Sequence, residues 1–135
     1  MELTPTRYDV RNYPPRQDSV PAARRRAAWL AVLWGQPQLA ADVALVTSEL
    51  TTNALLHGAV DGRDLRVGLR LMEAVLRIEV TDPRGERWPR PRVAAPGDRF
   101  GRGLHIVGAL ARDWGVRDRV VGKTVWAELP LGESP

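Results

Sequence analysis

The strongest constraint on the fold of this chain is a stretch in which apolar and polar residues alternate. Every second residue from Leu65 to Leu71 is apolar, and after a short break the alternation resumes between Val75 and Val80. Alternate side chains of a strand point to opposite faces, so a period of two indicates strands with one buried face. The segment 64–81 therefore predicts a β-hairpin that packs one face against the rest of the protein.

The segments around this hairpin predict helices and further strands. Apolar residues recur at helical spacing in three segments, at about 20–34, 38–57 and 103–112. Shorter runs predict strands in three others, at about 8–11, 115–121 and 124–129. Strands in hairpins with helices grouped between them indicate an α+β fold, a two-layer sandwich with a mixed, mostly antiparallel sheet and helices on one face.

Length and composition limit the chain to a few classes of protein. The 135 residues predict one domain over residues 1–135. The sequence has no cysteine and only 2 histidines, which excludes disulfide frameworks, thiol nucleophiles and cysteine-ligated metals. No apolar run approaches the roughly 20 residues that span a bilayer, and Met1–Val10 lacks the apolar core of a signal peptide. We therefore expect a soluble, cytoplasmic protein with no membrane partner.

The chain is basic, with a net charge of +4 and 20 lysines and arginines, of which only Lys123 is a lysine. A basic domain is a candidate for binding nucleic acid, a nucleotide or an acidic protein. The arginines are spread over predicted helices, hairpin and loop instead of one recognition element, so nucleic acid is the weakest of these candidates. The cluster Arg24–Arg26 fits either an acidic protein partner or a solvated helix face.

Three polar residues lie along one edge of the second predicted helix. Glu49, Asn53 and His57 follow one another at intervals of four residues and so point the same way. A glutamate can orient or deprotonate a nucleophile, and an asparagine can offer a neutral oxygen to a hard cation such as Mg²⁺. Such triples also occur on ordinary solvated helix edges, where a C-terminal histidine faces the helix dipole. The spacing by itself leaves both interpretations open.

A carboxylate and a pair of glycines flank a long predicted loop. Asp82 ends the hairpin, and the segment that follows is rich in proline, glycine and arginine as far as residue 102. Long loops inside compact domains are commonly functional. At the far end Gly101 and Gly103 precede the third helix, where the backbone and the helix N-terminus can approach an anion. An ordinary turn at Asp82 and a helix start that happens to contain glycines are the alternatives.

The order of these features resembles one known family. Residues 47–58, TSELTTNALLHG, resemble the N box of the GHKL ATPases, which include gyrase B, MutL, histidine kinases and the anti-sigma serine kinases. Residues 80–82 are similar to the strand before their second motif, 101–104 to their G2 box and 122–126 to their closing Gly-x-Thr strand. The resemblance covers nearly the whole chain and implies the Bergerat, or histidine kinase-like ATPase, fold. The short length points to the anti-sigma factor serine/threonine kinase branch, which is RsbW-like.

The resemblance implies a role for each matching residue. Glu49 would be the catalytic base, and Asn53 would hold a Mg²⁺ ion that bridges the phosphates of ATP. Asp82 would accept the adenine amino group, with Thr124 supporting that contact through water. The other residues implied to bind the nucleotide are His57, Gly85, Arg99, Gly101, Arg102, Gly103 and Leu104. Residues 83–102 would form a lid over the ATP.

This chain departs from the family at one motif. Where the family has Asp-x-Gly-x-Gly, residues 82–86 read DPRGE. We expect Arg84 either to crowd the adenine pocket or to reach a phosphate as the lid closes, so that ATP binds weakly or with a rearranged loop. The retained Glu49 argues that the site is still catalytic.

The resemblance as a whole implies an ATP- and Mg²⁺-dependent protein serine/threonine kinase that is also an anti-sigma factor. Such a protein would phosphorylate an anti-sigma-antagonist protein of the STAS type, sequester a sigma factor and form a homodimer. The altered second motif keeps an alternative open, which is a nucleotide-dependent regulatory binding module with little or no kinase activity.

Overall fold

A computed structural model describes residues 7–84, 99–119 and 121–132, with the side chains of residues 99–103 outside that description. The strands are β1 (Arg7–Tyr13), β2 (Leu65–Leu71), β3 (Val75–Asp82), β4 (Asp113–Asp118) and β5 (Lys123–Pro130). The helices are α1 (Ser19–Leu33), α2 (Ala40–His57) and α3 (Arg99–Leu110), and a 3-10 turn at Pro37–Leu39 joins the first two. Within the described residues, none of these helices is long and apolar enough to cross a membrane.

The sheet has five strands in the order β1-β2-β3-β5-β4, and every pairing in the described part of the chain is antiparallel. The prediction of an α+β fold with helices is confirmed, but the predicted mixed sheet is corrected to an antiparallel one. The chain returns from β3 through α3 to β4, and β4 runs in the same direction as β3. Because β5 folds back between these two strands, no parallel pair forms.

The core lies between the helices and one face of the sheet. Along β3 the buried residues Leu76, Ile78 and Val80 alternate with the half-exposed Arg77 and Glu79. The buried side packs against α2, and α1 and α3 pack in turn against α2. Each fully buried leucine, isoleucine or valine contributes about 1.5–3 kcal/mol to folding, so this alternation holds the strand register. The predicted hairpin with one buried face is confirmed.

Arg26, from the basic cluster in the first helix, links α1 to β1. Its guanidinium group donates two hydrogen bonds to the carboxylate of Asp9, at 2.6 and 3.0 Å, and lies 5.8 Å from the centre of the Trp29 ring. Side-chain hydrogen bonding to Asp9 also raises the pKa of Arg26. One arginine of the cluster therefore fixes the position of the first helix on the edge strand.

The boundaries that differ most from the prediction are those of the third helix and the fourth strand. The third helix begins at Arg99 instead of Gly103. The strand predicted at 115–121 lies at Asp113–Asp118, because its pairing with β5 starts at the pair Asp113–Glu128 and ends at Asp118–Lys123. Cross-strand pairing, which single-strand alternation does not reveal, sets both ends of β4.

Candidate functional site

The last turns of α2 carry the residues predicted to act in catalysis and metal binding. Glu49, Asn53 and His57 all lie within this helix, one turn apart. Asn53 is buried, whereas Glu49 and His57 are half-buried. The buried Nδ2 atom of Asn53 has no hydrogen-bond partner among the described residues. Because an unpaired buried amide costs about 1–3 kcal/mol, this position calls for a ligand or a water molecule.

Asp82, the last residue of β3, takes part in a buried ion pair. Its Oδ2 atom accepts a hydrogen bond from Lys123 Nζ at 2.7 Å, and its Oδ1 atom accepts one from the backbone N–H of Arg84 at 2.9 Å. The side chains of Asp82 and Lys123 are only 1% and 6% exposed. Burial raises the pKa of the Asp82 carboxyl group, and the hydrogen bond from Lys123 opposes that rise. The carboxylate predicted to accept an adenine amino group thus already has two partners from its own chain.

Two glycines allow neighbouring segments to approach Asp82 closely. Gly58 follows the last residue of α2, and a Cβ atom at this position would overlap the Asp82 carboxyl group. Gly122 precedes β5 with a φ of +82°, and a Cβ atom there would overlap the backbone carbonyl oxygen of Asp82. Glycine adopts that φ without strain and leaves the space open. Both glycines therefore set the position of Asp82, a role that the sequence analysis missed.

A small cavity brings four of the predicted site residues together, which are Asn53, His57, Asp82 and Leu104. The remaining lining residues are Ala54, Lys123 and Val125. The cavity measures about 10 Å³, which is room for roughly one water molecule. Glu49 lies one helical turn before Asn53 and is not among the lining residues. The predicted base-binding and metal-binding residues thus converge, although the space between them is nearly closed.

A larger cavity of about 390 Å³ lies at the end of the sheet on its helix-free face. Its lining includes Asn12, Arg66 and Thr81, which are neighbours in register on three adjacent strands, and it shares Asp82 with the small cavity. No α2 residue lines it. The smaller cavity is therefore the one that joins the residues predicted to bind a nucleotide.

The side chain of Thr124 lies on the opposite face of β5 from the small cavity. Thr124 is in register with Thr81, and the two hydroxyl oxygens are hydrogen-bonded at 2.7 Å. Neighbouring residues of a strand point to opposite faces, so the partner of Asp82 is Lys123. The structure does not bring the Thr124 side chain to the predicted base site.

Lys123 is the site residue that the sequence analysis did not single out, and the pattern of its strand contains the signal. The residues of β5 on the helix side alternate as Lys123, Val125, Ala127 and Leu129, and all four are buried. A lysine in the buried phase of an alternating strand requires an anionic partner, because an unpaired buried charge is very costly. From this requirement the sequence predicts that Lys123 pairs with a buried carboxylate on a neighbouring strand.

The predicted phosphate-binding segment lies largely outside the part of the chain that the structure describes. The residues concerned are Gly85, Arg99, Gly101, Arg102 and Gly103. Residues 85–98, which include most of the predicted lid, are outside the description. The backbone at both Gly101 and Gly103 is helical, within the first turns of α3. The phosphate contacts assigned to these five residues stay predictions.

The chemistry of the donor set fits a metal that arrives with a nucleotide. In the described residues there is no group of three or more histidine, aspartate or glutamate side chains that could hold a metal ion. Mg²⁺ commonly takes only one or two protein ligands and completes its shell with phosphate oxygens and water. The side-chain oxygen of Asn53, one turn from Glu49, is a ligand of this kind, while its Nδ2 atom, which has no partner among the described residues, needs an acceptor.

Comparison with known protein families gives a match that spans most of the chain. The family model described as the histidine kinase-like ATPase domain matches residues 13–129. That range includes α2, β3 and β5, and therefore every residue that lines the small cavity. No curated protein matches the chain.

Proposed function

Because the chain belongs to the family of histidine kinase-like ATPase domains, we propose that it binds ATP with Mg²⁺ between α2, β3 and β5 and acts as a protein serine/threonine kinase and anti-sigma factor. The observation that carries this proposal is the buried amide of Asn53, which has no partner among the described residues and lines a cavity with Asp82. An unpaired buried donor beside a carboxylate at the end of a strand requires an acceptor, which a nucleotide can supply.

Each polar residue of the site has a role in this proposal. Asn53 would hold Mg²⁺ through its side-chain oxygen, and the ion when bound would neutralise charge on the phosphates. Glu49, which is partly exposed one turn away, would polarise the hydroxyl group of a serine or threonine on a partner. Asp82 would accept a hydrogen bond from the exocyclic amino group of the base.

Entry of the base requires the cavity to enlarge. The space of about 10 Å³ is far below the roughly 300–1,000 Å³ of ordinary ligand pockets. Among its lining residues, Leu104 lies on α3, and Lys123 has a flexible aliphatic chain that can shift while its ammonium group stays with Asp82. Movement of these groups must accompany binding, and the work of opening reduces the affinity. This supports the expectation that ATP binds weakly.

The partners in this proposal are a STAS-type anti-sigma-antagonist protein, which would receive the phosphate, and a sigma factor, which would be sequestered. A homodimer is part of the same proposal. Support comes from the resemblance of residues 47–58 to the N box of the anti-sigma kinases and from Glu49 in particular. Sedimentation of the purified chain, alone and with each partner, tests all three associations.

ATP binding is tested by calorimetry with Mg²⁺ and ATP on the wild type and on Asn53→Ala. We expect binding by the wild type and at least tenfold weaker binding by the variant, since one metal ligand is worth about 1.4 kcal/mol or more. Leu56→Ala is the matched control, because Leu56 lies in the same stretch of α2 with its side chain 55% exposed. Equal affinities for wild type and Asn53→Ala would contradict the assignment of Asn53.

Kinase activity is tested by incubation with labelled ATP and candidate STAS-type proteins. We expect phosphate transfer to a serine or threonine, and a loss of about 100-fold or more in Glu49→Gln, because general base catalysis typically contributes 10²–10⁴-fold. Glu73→Gln, a change of the same kind in the exposed turn between β2 and β3, should leave transfer unchanged. Equal transfer by Glu49→Gln and the wild type would remove the proposed base.

A second candidate function is a nucleotide-dependent binding module without catalysis. The observation that favours it is the altered second motif, DPRGE at residues 82–86, in place of the family's Asp-x-Gly-x-Gly. Calorimetric binding of ATP together with no transfer to any candidate protein would select this function over the kinase.

A further inference from the structure

Lys123 is placed where it can contact any base that reaches Asp82. It is in register with Asp82 across β3 and β5, and its Nζ atom lies 2.7 Å from Asp82 Oδ2. Both side chains line the small cavity beside Asn53. Removing one partner of a buried ion pair is strongly unfavourable, so the ammonium group is expected to stay with the carboxylate while the site is occupied.

The pair retains hydrogen-bonding capacity that its own contacts do not use. An ammonium group has three N–H donors, and among the described residues Lys123 uses one of them, on Asp82. A carboxylate has about four lone-pair positions, and the contacts from Lys123 and the Arg84 backbone account for two. The cavity wall thus offers a donor directly beside an acceptor.

The Watson–Crick edge of a purine has the complementary arrangement. Adenine has a donor, the N6 amino group, next to the acceptor N1, and guanine has the donor N1–H next to the acceptor O6. A carboxylate alone can satisfy only the donor and leaves the neighbouring acceptor unpaired. An adjacent ammonium group pairs with that acceptor in either base.

We propose that Lys123 is a specificity-determining residue of the nucleotide site, which reads the purine edge together with Asp82 and allows guanine to bind as well as adenine. This inference rests on the proposed nucleotide-binding function and adds to it the range of bases accepted. Asp82 receives the proton of N6 in adenine or of N1 in guanine. Lys123 donates to N1 in the first case and to O6 in the second.

The first experiment varies only the ligand and uses the wild-type chain. Calorimetry in Mg²⁺ compares ATP, GTP and the triphosphate of 1-deazaadenosine, in which a C–H group replaces N1. We expect the affinities for ATP and GTP to lie within about tenfold of each other, and the deaza analogue to bind about tenfold more weakly than ATP, because it leaves the Lys123 donor without a base partner. Rejection of GTP by more than about 100-fold, or equal binding of ATP and the deaza analogue, would overturn the proposal.

The second experiment removes the ammonium group. Lys123→Met keeps the length of the side chain, and Arg117→Met is the matched control because Arg117 is exposed and in register with Thr124, on the other face of the sheet. We expect Lys123→Met to weaken ATP and GTP binding alike, by about tenfold, and to remove the difference between ATP and the deaza analogue, since the acceptor of either base then has no donor to lose. The control should keep the wild-type affinities for all three ligands.

The outcomes separate this inference from the function on which it rests. A wild-type chain that binds no nucleoside triphosphate would overturn both. If Lys123→Met bound ATP and still discriminated against the deaza analogue as the wild type does, only the role of Lys123 would be overturned. Thermal unfolding monitored by circular dichroism shows whether the Lys123→Met variant is folded. If the variant is not folded, the wild-type affinities for ATP, GTP and the deaza analogue test the role of Lys123.

Discussion

Strands β3 and β5 hold an ion pair on each face of the sheet, and the two pairs differ mainly in their access to water. On the helix side Asp82 and Lys123 are 2.7 Å apart, with side chains 1% and 6% exposed. On the open side Arg77 and Glu128 are 3.0 Å apart, with side chains 17% and 24% exposed. Similar geometry on the same two strands thus occurs in two different dielectric environments.

The Arg77–Glu128 pair on the open face also has further charged and aromatic side chains as partners. Glu79 lies 2.6 Å from Arg70 and 3.9 Å from Arg77, and the Arg77 guanidinium group lies 4.3 Å from the centre of the Trp126 ring. If one of these side chains is removed, the charge of its partner is still balanced by the other side chains and by solvent. Among the described residues, Lys123 has only Asp82 as an ionic partner. Burial and the number of partners, more than distance, therefore decide what each pair contributes to stability.

The largest expected effect on stability comes from filling the space between Gly122 and the backbone of Asp82. Gly122→Ala should lower the free energy of unfolding by about 4 kcal/mol or more, because the φ of +82° is strained for alanine and the new Cβ overlaps the Asp82 carbonyl. Chemical denaturation measures this change.

The matched control for this substitution is Gly62→Ala. Gly62 has a φ of +79°, but nothing lies within 4 Å of a Cβ atom placed there. Gly62→Ala should therefore lower the free energy of unfolding only by the cost of the strained backbone, about 1–2 kcal/mol. Equal losses of stability in Gly122→Ala and Gly62→Ala would show that the close approach of Gly122 to Asp82 does not contribute to the effect.

Breaking the buried pair has the next largest expected effect. Lys123→Met should lower the free energy of unfolding by about 3 kcal/mol, because it leaves the Asp82 carboxylate buried without its cation. Combining it with Asp82→Asn should recover about 2 kcal/mol relative to the sum of the single changes, since the partners are coupled. A double-mutant cycle by urea denaturation measures the coupling between the two residues. If the two changes were strictly additive, the buried pair would contribute no more than the partly exposed one.

The smallest effect is expected on the open face. Glu128→Gln keeps the shape of the side chain and should change the free energy of unfolding by about 1 kcal/mol or less, because the pair is partly exposed and Arg77 keeps Glu79 as a second partner. The change should shrink further in about 1 M salt, where screening is strong. Thermal unfolding at low and high salt tests this, and a loss as large as that of Lys123→Met would remove the distinction between the two faces.

Much of the fold and part of the site are predictable from local patterns. The hairpin of Leu65–Leu71 and Val75–Asp82 follows from its alternation, and the second helix follows from the stripe through Val43 and Leu50. The edge formed by Glu49 and Asn53 is equally local, because helical spacing alone puts the two residues on one side. The structure confirms these elements.

The positions that sequence reasoning missed depend on contacts between distant segments. Thr124 and Lys123 are adjacent, and only the register of β5 against β3 decides which of them reaches Asp82. Gly58 has no special local conformation, and its role is apparent only because the Asp82 carboxyl group packs against its backbone. Such relations join residues far apart in the chain: the alternation of β5 indicates that Lys123 is buried, but period and spacing do not identify its partner.

By itself the sequence determined the alternation of elements, the amphipathic edge of α2 and the motifs by which the family is recognised, because each depends on residues a few positions apart. The tertiary structure alone decided that Asp82 is paired with Lys123, that Thr124 faces away and that the cavity beside Asn53 is nearly closed. The physical reason is that burial and pairing are properties of segments brought together. If the register of β5 were shifted by one residue, the same lysine would lie on the other face of the sheet, away from the Asp82 carboxylate.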